Sequence, residues 1–133
     1  MNVVLMLHSI VRWLVVLVGA VAAVRAVIVM TGKPGNKMDR GLMSGYTGLL
    51  DLNVLLGFIY LLWSGLATPI GFPMARIEHA VTNIIGVAVA HVFVARAKKI
   101  EDPKRKAQFH LLGVVVSLAI IVVGVSLVNG WAR

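Results

Sequence analysis

The chain contains no cysteine. Disulfides, thiolate metal ligation, iron–sulfur clusters and covalent cofactor attachment through C-x-x-C-H are therefore excluded. Acidic residues are scarce, with five Asp and Glu against thirteen Lys and Arg, a formal charge of +8. That excess suggests nucleic acid at first sight. Most of the basic residues, however, cluster in two loops between apolar runs, where membrane topology accounts for them, and nucleic acid is not expected as a partner. Proline is rare, and all four prolines (Pro34, Pro69, Pro73, Pro103) fall at breaks between apolar runs. No internal repeat or low-complexity tail is present.

What the chain does have is apolar surface. Of its 133 residues 59% are hydrophobic, with a mean hydropathy of +0.93. Soluble domains are about 45–50% apolar. One domain is expected at this length, a single transmembrane domain over residues 1–133. Four apolar runs stand out, at about 3–30, 42–67, 73–97 and 107–131. Each exceeds the roughly 20 residues needed to cross the hydrocarbon. Inside a bilayer the backbone must satisfy itself, so each run is expected to be a helix. The first run lacks a basic leader and is too long for a signal h-region, so it reads as a mature helix.

The breaks carry turn chemistry. Thr31-Gly32-Lys33-Pro34-Gly35-Asn36 stops the first run, and Thr68-Pro69-Ile70-Gly71-Phe72-Pro73 stops the second. Glu101-Asp102-Pro103 separates the third from the fourth. Such short connections predict antiparallel neighbours in an all-α, integral membrane, up-down four-helix bundle. The first loop holds Lys33, Lys37 and Arg40, and the third holds Arg96, Lys98, Lys99, Lys104, Arg105 and Lys106. The other side has only Arg76 and Arg133. Positive-inside bias then places loops one and three in the cytoplasm and both termini on the non-cytoplasmic side. Trp63 and Trp131 fall at the outer ends of the second and fourth helices, as interfacial belts require.

Four histidines lie within these runs. Ionisable groups inside a membrane are costly and point to function, each with a partner to be named. His8 and His79 lie five or six residues in from the outer face, at a depth of about 8–10 Å. They belong to the first and third helices, which are diagonal in an up-down bundle, and a diagonal gap suits a flat macrocycle with an imidazole on each side. His91 lies 12 residues beyond His79, about 18 Å lower and about 120° around the helix, level with His110. A second macrocycle between His91 and His110 would complete a two-storey electron path, although their helices are neighbours. The competing reading is that His8 and His79 are interfacial histidines bonded to backbone or water, His110 an interfacial residue beside Lys104-Arg105-Lys106, and His91 a packed polar one. Zinc fits less well, because the histidines divide between two depths and no H-E-x-x-H occurs.

Other polar residues have simpler expected roles. Arg12 shares the face of His8, four positions on, and either meets a cofactor carboxylate or pairs with Glu78. Arg25 is expected to pair with Asp51. Asn83, four residues after His79, is placed to orient its ring. Gly41, Ser44, Gly45 and Gly48 give small-x-x-x-small spacing, and Gly86 and Gly113 lie near histidines; close helix packing is the commoner cause of both.

The run Leu7-His8-Ser9-Ile10-Val11-Arg12-Trp13 resembles the LHSxxRW opening of small bacterial four-helix membrane proteins described as cytochrome b-like. The Leu55-Leu56-Gly57-Phe58-Ile59-Tyr60 run, Glu78-His79 and Ala95-Arg96-Ala97-Lys98-Lys99 are similar too. The resemblance implies a b-type haem held by histidines, with His8 and His79 at the motif positions. It extends less directly to His91 and His110. The resulting expectation is a multi-pass protein of the bacterial cytoplasmic membrane that carries electrons through one or two haems. It would be an electron carrier or redox-complex subunit more than a stand-alone enzyme. Its surroundings would be the lipid bilayer, and its partners other membrane redox subunits, respiratory or photosynthetic, or the quinone pool. The alternatives are a haem-free accessory subunit and a small proton-coupled transporter using Asp51, Glu78 and the histidines.

Overall fold

A computed structural model describes residues 2–35 and 37–128 of the chain. Asn36, Trp131, Arg133 and the last part of the expected fourth helix lie outside the described residues. Four helices account for nearly all of the rest: α1 (Asn2–Met30), α2 (Lys37–Ala67), α3 (Met74–Ala97) and α4 (Pro103–Ser126). All four are long and apolar enough to cross a membrane. Among the described residues there is no strand.

Two helices begin earlier than the apolar runs suggest. α2 starts at Lys37, not near Leu42, because its first turn is polar but still helical. Asp39 in that turn complements the exposed N–H groups at the helix start. α4 starts at Pro103, where the missing N–H costs nothing in a first turn. Its N-cap is Asp102, whose carboxylate accepts from the Lys104 N–H at 3.3 Å. The first connection turns at Gly32, whose φ of +106° only glycine adopts without strain.

Each helix packs against its chain neighbours, and α1 also packs against α4. The pairs α1–α3 and α2–α4 are the diagonals, and α2 and α3 pack least closely. The core runs along the axis through Val11, Val15, Met43, Tyr46, Leu50, Val114 and Ile121. Tyr46 of α2 is fully buried, and its hydroxyl meets Ser117 Oγ of α4 at 2.7 Å across one diagonal. The outer surface is as apolar as the core. Val3, Leu17, Val24, Leu66 and Val123 are all exposed, the pattern of helices solvated by lipid. Gly86 packs against Ile120 and Ile121, and Gly113 packs under Phe93, so both serve helix contact. Gly41, Gly45 and Gly48 have no neighbour within 4 Å at the position of a Cβ, so their stripe faces away from the other helices.

Candidate functional site

His8 and His79 come together. Their ring centroids are 6.3 Å apart and their planes are nearly perpendicular, at 81°. Each ring is anchored from a different helix. His8 Nδ1 donates to the Asn53 carbonyl of α2 at 3.0 Å. His79 Nδ1 donates to the Gly124 carbonyl of α4 at 2.7 Å. A carbonyl can only accept, so both protons sit on Nδ1 and both basic lone pairs sit on Nε2. An imidazole whose other nitrogen donates to a backbone carbonyl has the usual outer-shell arrangement of a metal ligand.

Two glycines make room for the anchors. A Cβ at Gly57, one turn beyond Asn53, would come within 2.8 Å of His8 Cε1. A Cβ at Gly124 would collide with Asn83 Oδ1. Asn83 lies against the His79 ring as its spacing suggests, with Nδ2 3.1 Å from Nδ1 and 3.3 Å from Nε2. With Nδ1 donating to Gly124, the Asn83 amide lies between the two ring nitrogens and helps to fix the orientation of the ring. Replacing Gly57 by Val should push the His8 ring off the Asn53 carbonyl, at an overpacking cost of about 1–3 kcal/mol. Thermal unfolding in detergent would measure the loss, and a melting temperature equal to wild type would show that the ring has space to spare.

The two imidazoles border a cavity of about 120 Å³ between all four helices. Its wall includes Arg12, Arg76, Asn53 and Asn83 and, among the described residues, no carboxylate side chain. Arg12 is only 5% exposed and lies over the Trp13 ring. Arg76 donates to Ser64 Oγ at 2.8 Å and lies over Tyr60. The buried oxygens Asn53 Oδ1 and Asn83 Oδ1 have no hydrogen-bond partner among the described residues. The site thus offers two nitrogen ligands, two guanidiniums and polar groups with bonding capacity to spare.

These features were tested against a haem. An imidazole nitrogen lies about 2 Å from a first-row metal, so two rings on opposite sides of one ion have centroids about 6 Å apart. The observed 6.3 Å fits that requirement. The guanidiniums complement carboxylate side chains on a macrocycle. The volume fits less directly. At 120 Å³ the cavity is smaller than the roughly 300–1,000 Å³ clefts that hold drug-sized ligands. A macrocycle would need a wider space than this, and α2–α3 is the most loosely packed of the neighbouring helix pairs.

The structure does not bring His91 and His110 together. His91 Nε2 bonds Asp51 Oδ1 at 2.7 Å on the outer surface of α2 and α3, with side-chain exposures of 48% and 54%. His110 is half-buried on a second cavity near the basic loops. The expected Arg25–Asp51 pair is also corrected. Arg25 Nε donates to Asp39 Oδ1 at 2.7 Å, and Nη2 donates to Oδ2 at 3.2 Å. Asp39 wins because α2 begins early enough to bring its first turn beside α1, while Asp51 faces outward. Glu78 is exposed beside His79. Among the described residues no cluster of three or more His, Cys, Asp or Glu side chains could hold a metal ion, as structural zinc would need.

Sequence reasoning did not find the backbone acceptors at Asn53 and Gly124, or the space left by Gly57. Asn53 and Gly57 are four residues apart on one face of α2, which is a usable signal once His8 is suspected. Gly124 has none, since its role rests on its carbonyl. The chain matches no family model, no curated protein and no solved structure.

Proposed function

We propose that this protein is a membrane b-type cytochrome whose haem is held by His8 and His79. The observation that carries the proposal is the meeting of these two imidazoles from diagonal helices, each with Nδ1 fixed to a carbonyl and Nε2 basic. The likeness of the Leu7–Trp13 run to cytochrome b-like proteins supports the same reading. Haem, when bound, supplies reversible one-electron chemistry. The chain's own residues do the rest. His8 and His79 hold the iron, and their carbonyl bonds raise the basicity of the ligating nitrogens. Arg12 and Arg76 hold the carboxylates. Valines and leucines around the cavity, among them Val15, Val87 and Leu50, keep water out.

A haem held by two histidines would supply electron transfer more readily than oxygen activation. In this reading the helices form an up-down bundle with both termini on the non-cytoplasmic side of a bacterial inner membrane. Electrons pass to and from other membrane redox subunits or the quinone pool. One haem is proposed, because His91 is engaged with Asp51 away from His110. The transporter reading has less support, since its central carboxylate, Asp51, is half-exposed on the outside.

The test is an absorption spectrum of protein expressed with ample haem, oxidised and then reduced with dithionite. Sharp reduced α and β bands at about one haem per chain are expected. Correctly folded but colourless protein would leave the accessory-subunit reading in its place.

A further inference from the structure

The second cavity is the larger one, at about 510 Å³, and it lies at the opposite end of α1 from His8. Five cationic side chains converge on it: Arg25 of α1, Lys37 and Arg40 of α2, Lys98 after α3, and Lys106 of α4. Only two carboxylates join them, Asp39 and Glu101, and Asp39 is already bound by Arg25. Much of the remaining wall is apolar, with Ala22, Ala26 and Ala107 beside Val29, Leu42 and Val94. His110 reaches the same space.

Positive-inside bias explains why Lys and Arg lie at this end of the helices. It does not explain why residues of four chain segments surround one cavity with too few carboxylates to balance them. Like charges gathered around one cavity repel one another, and an anion between them relieves that repulsion. Basic pockets between transmembrane helices on the cytoplasmic side are suited to phosphate head groups. The volume lies within the roughly 300–1,000 Å³ range of ligand clefts.

We propose that this cavity binds a phosphate-bearing anion. Lys37, Arg40, Lys98 and Lys106 contact the phosphate oxygens, and the alanine wall accommodates the group attached to it. An anionic phospholipid head group and a soluble phosphate share this chemistry. The site is separate from the histidine pair, and failure of either proposal leaves the other standing.

Lys98 and Lys106 line the cavity, whereas the neighbouring Lys99 and Arg105 do not. Two double variants therefore remove the same charge at nearly the same place in the chain. Calorimetric titration of the full-length protein in neutral detergent would use three probes: short-chain phosphatidylglycerol, short-chain phosphatidylcholine and inorganic phosphate. Phosphatidylglycerol or phosphate should bind the wild type more tightly than phosphatidylcholine. Lys98→Gln with Lys106→Gln should weaken that binding about tenfold or more, as loss of charge-assisted phosphate contacts does. Lys99→Gln with Arg105→Gln should weaken it less than about threefold. Binding of phosphatidylglycerol without phosphate identifies a lipid, and binding of phosphate that competes with the lipid identifies a soluble ligand. Equal loss in the two double variants, or no preference over phosphatidylcholine, overturns the proposal. If the first variant does not fold, Lys37→Gln with Arg40→Gln supplies the same comparison.

Discussion

His79→Ala abolishes the reduced α band, and His8→Ala does the same, while His91→Ala and His110→Ala keep a full complement of haem. This is the largest expected effect, because the proposed site needs both imidazoles and each comes from a different helix. A simple loss of colour would be ambiguous, since removing His79 also removes its bond to the Gly124 carbonyl. Leaving a buried acceptor unpaired costs about 1–3 kcal/mol, enough to unfold a marginal protein. His79→Asn separates the two causes. Its amide keeps a donor near that carbonyl but replaces the imidazole ligand. It should remain helical and monodisperse in detergent yet carry no haem. Added haem should raise the melting temperature of the wild type, as any ligand that binds only the folded state does, and leave that of His79→Asn unchanged. Unchanged haem content in both His79 variants would sink the assignment.

The parts of this arrangement that could be read from sequence are those that depend on distance along a helix. Span lengths and the glycine and proline breaks follow from chain chemistry. Counting residues from the breaks places His8 and His79 at one depth, and the structure brings these two rings together. What sequence could not supply is rotation. A soluble helix marks its inward face by polarity, but these helices are apolar on all sides, with exposed Leu17 and Val24 as hydrophobic as buried Val15 and Ala22. Asp51 and His91 could therefore not be recognised as outward-facing partners. Sequence pairs Arg25 with Asp51 for the same reason, and because the apolar run near Leu42 hides the true start of α2 at Lys37. Once the polar turn from Lys37 is included, Asp39 is the carboxylate beside Arg25. The anchors of the histidine pair escape for a different reason. They are main-chain carbonyls, which every residue carries, and only packing selects Asn53 and Gly124.

Tyr46→Ala should be among the most destabilising single substitutions in the core. The ring is fully buried and joins three helices. It fills the space left by Gly19 of α1, where a Cβ would lie 2.9 Å from Tyr46 Cε1, and it reaches Ser117 of α4 across the diagonal. Ser117 Oγ donates to the Gly113 carbonyl at 2.5 Å, so the shared proton with Tyr46 comes from the phenol. Truncation to alanine removes an aromatic ring from a packed site and should cost about 3–5 kcal/mol. Tyr46→Phe keeps the ring and loses only the phenolic donor, while Ser117 retains its bond to Gly113. That change should cost about 1 kcal/mol, in line with hydrogen bonds between membrane helices. Unfolding by SDS titration in mixed micelles would give both values. A phenylalanine variant as unstable as the alanine variant would show that the hydrogen bond, not the ring, holds the diagonal. The same core residues Val15, Leu50 and Ile121 line the histidine cavity, so the packing that Tyr46 stabilises is continuous with the site. Haem retention in Tyr46→Ala should therefore match wild type at low temperature and fail at a lower temperature on heating, whereas His79→Asn lacks haem at every temperature.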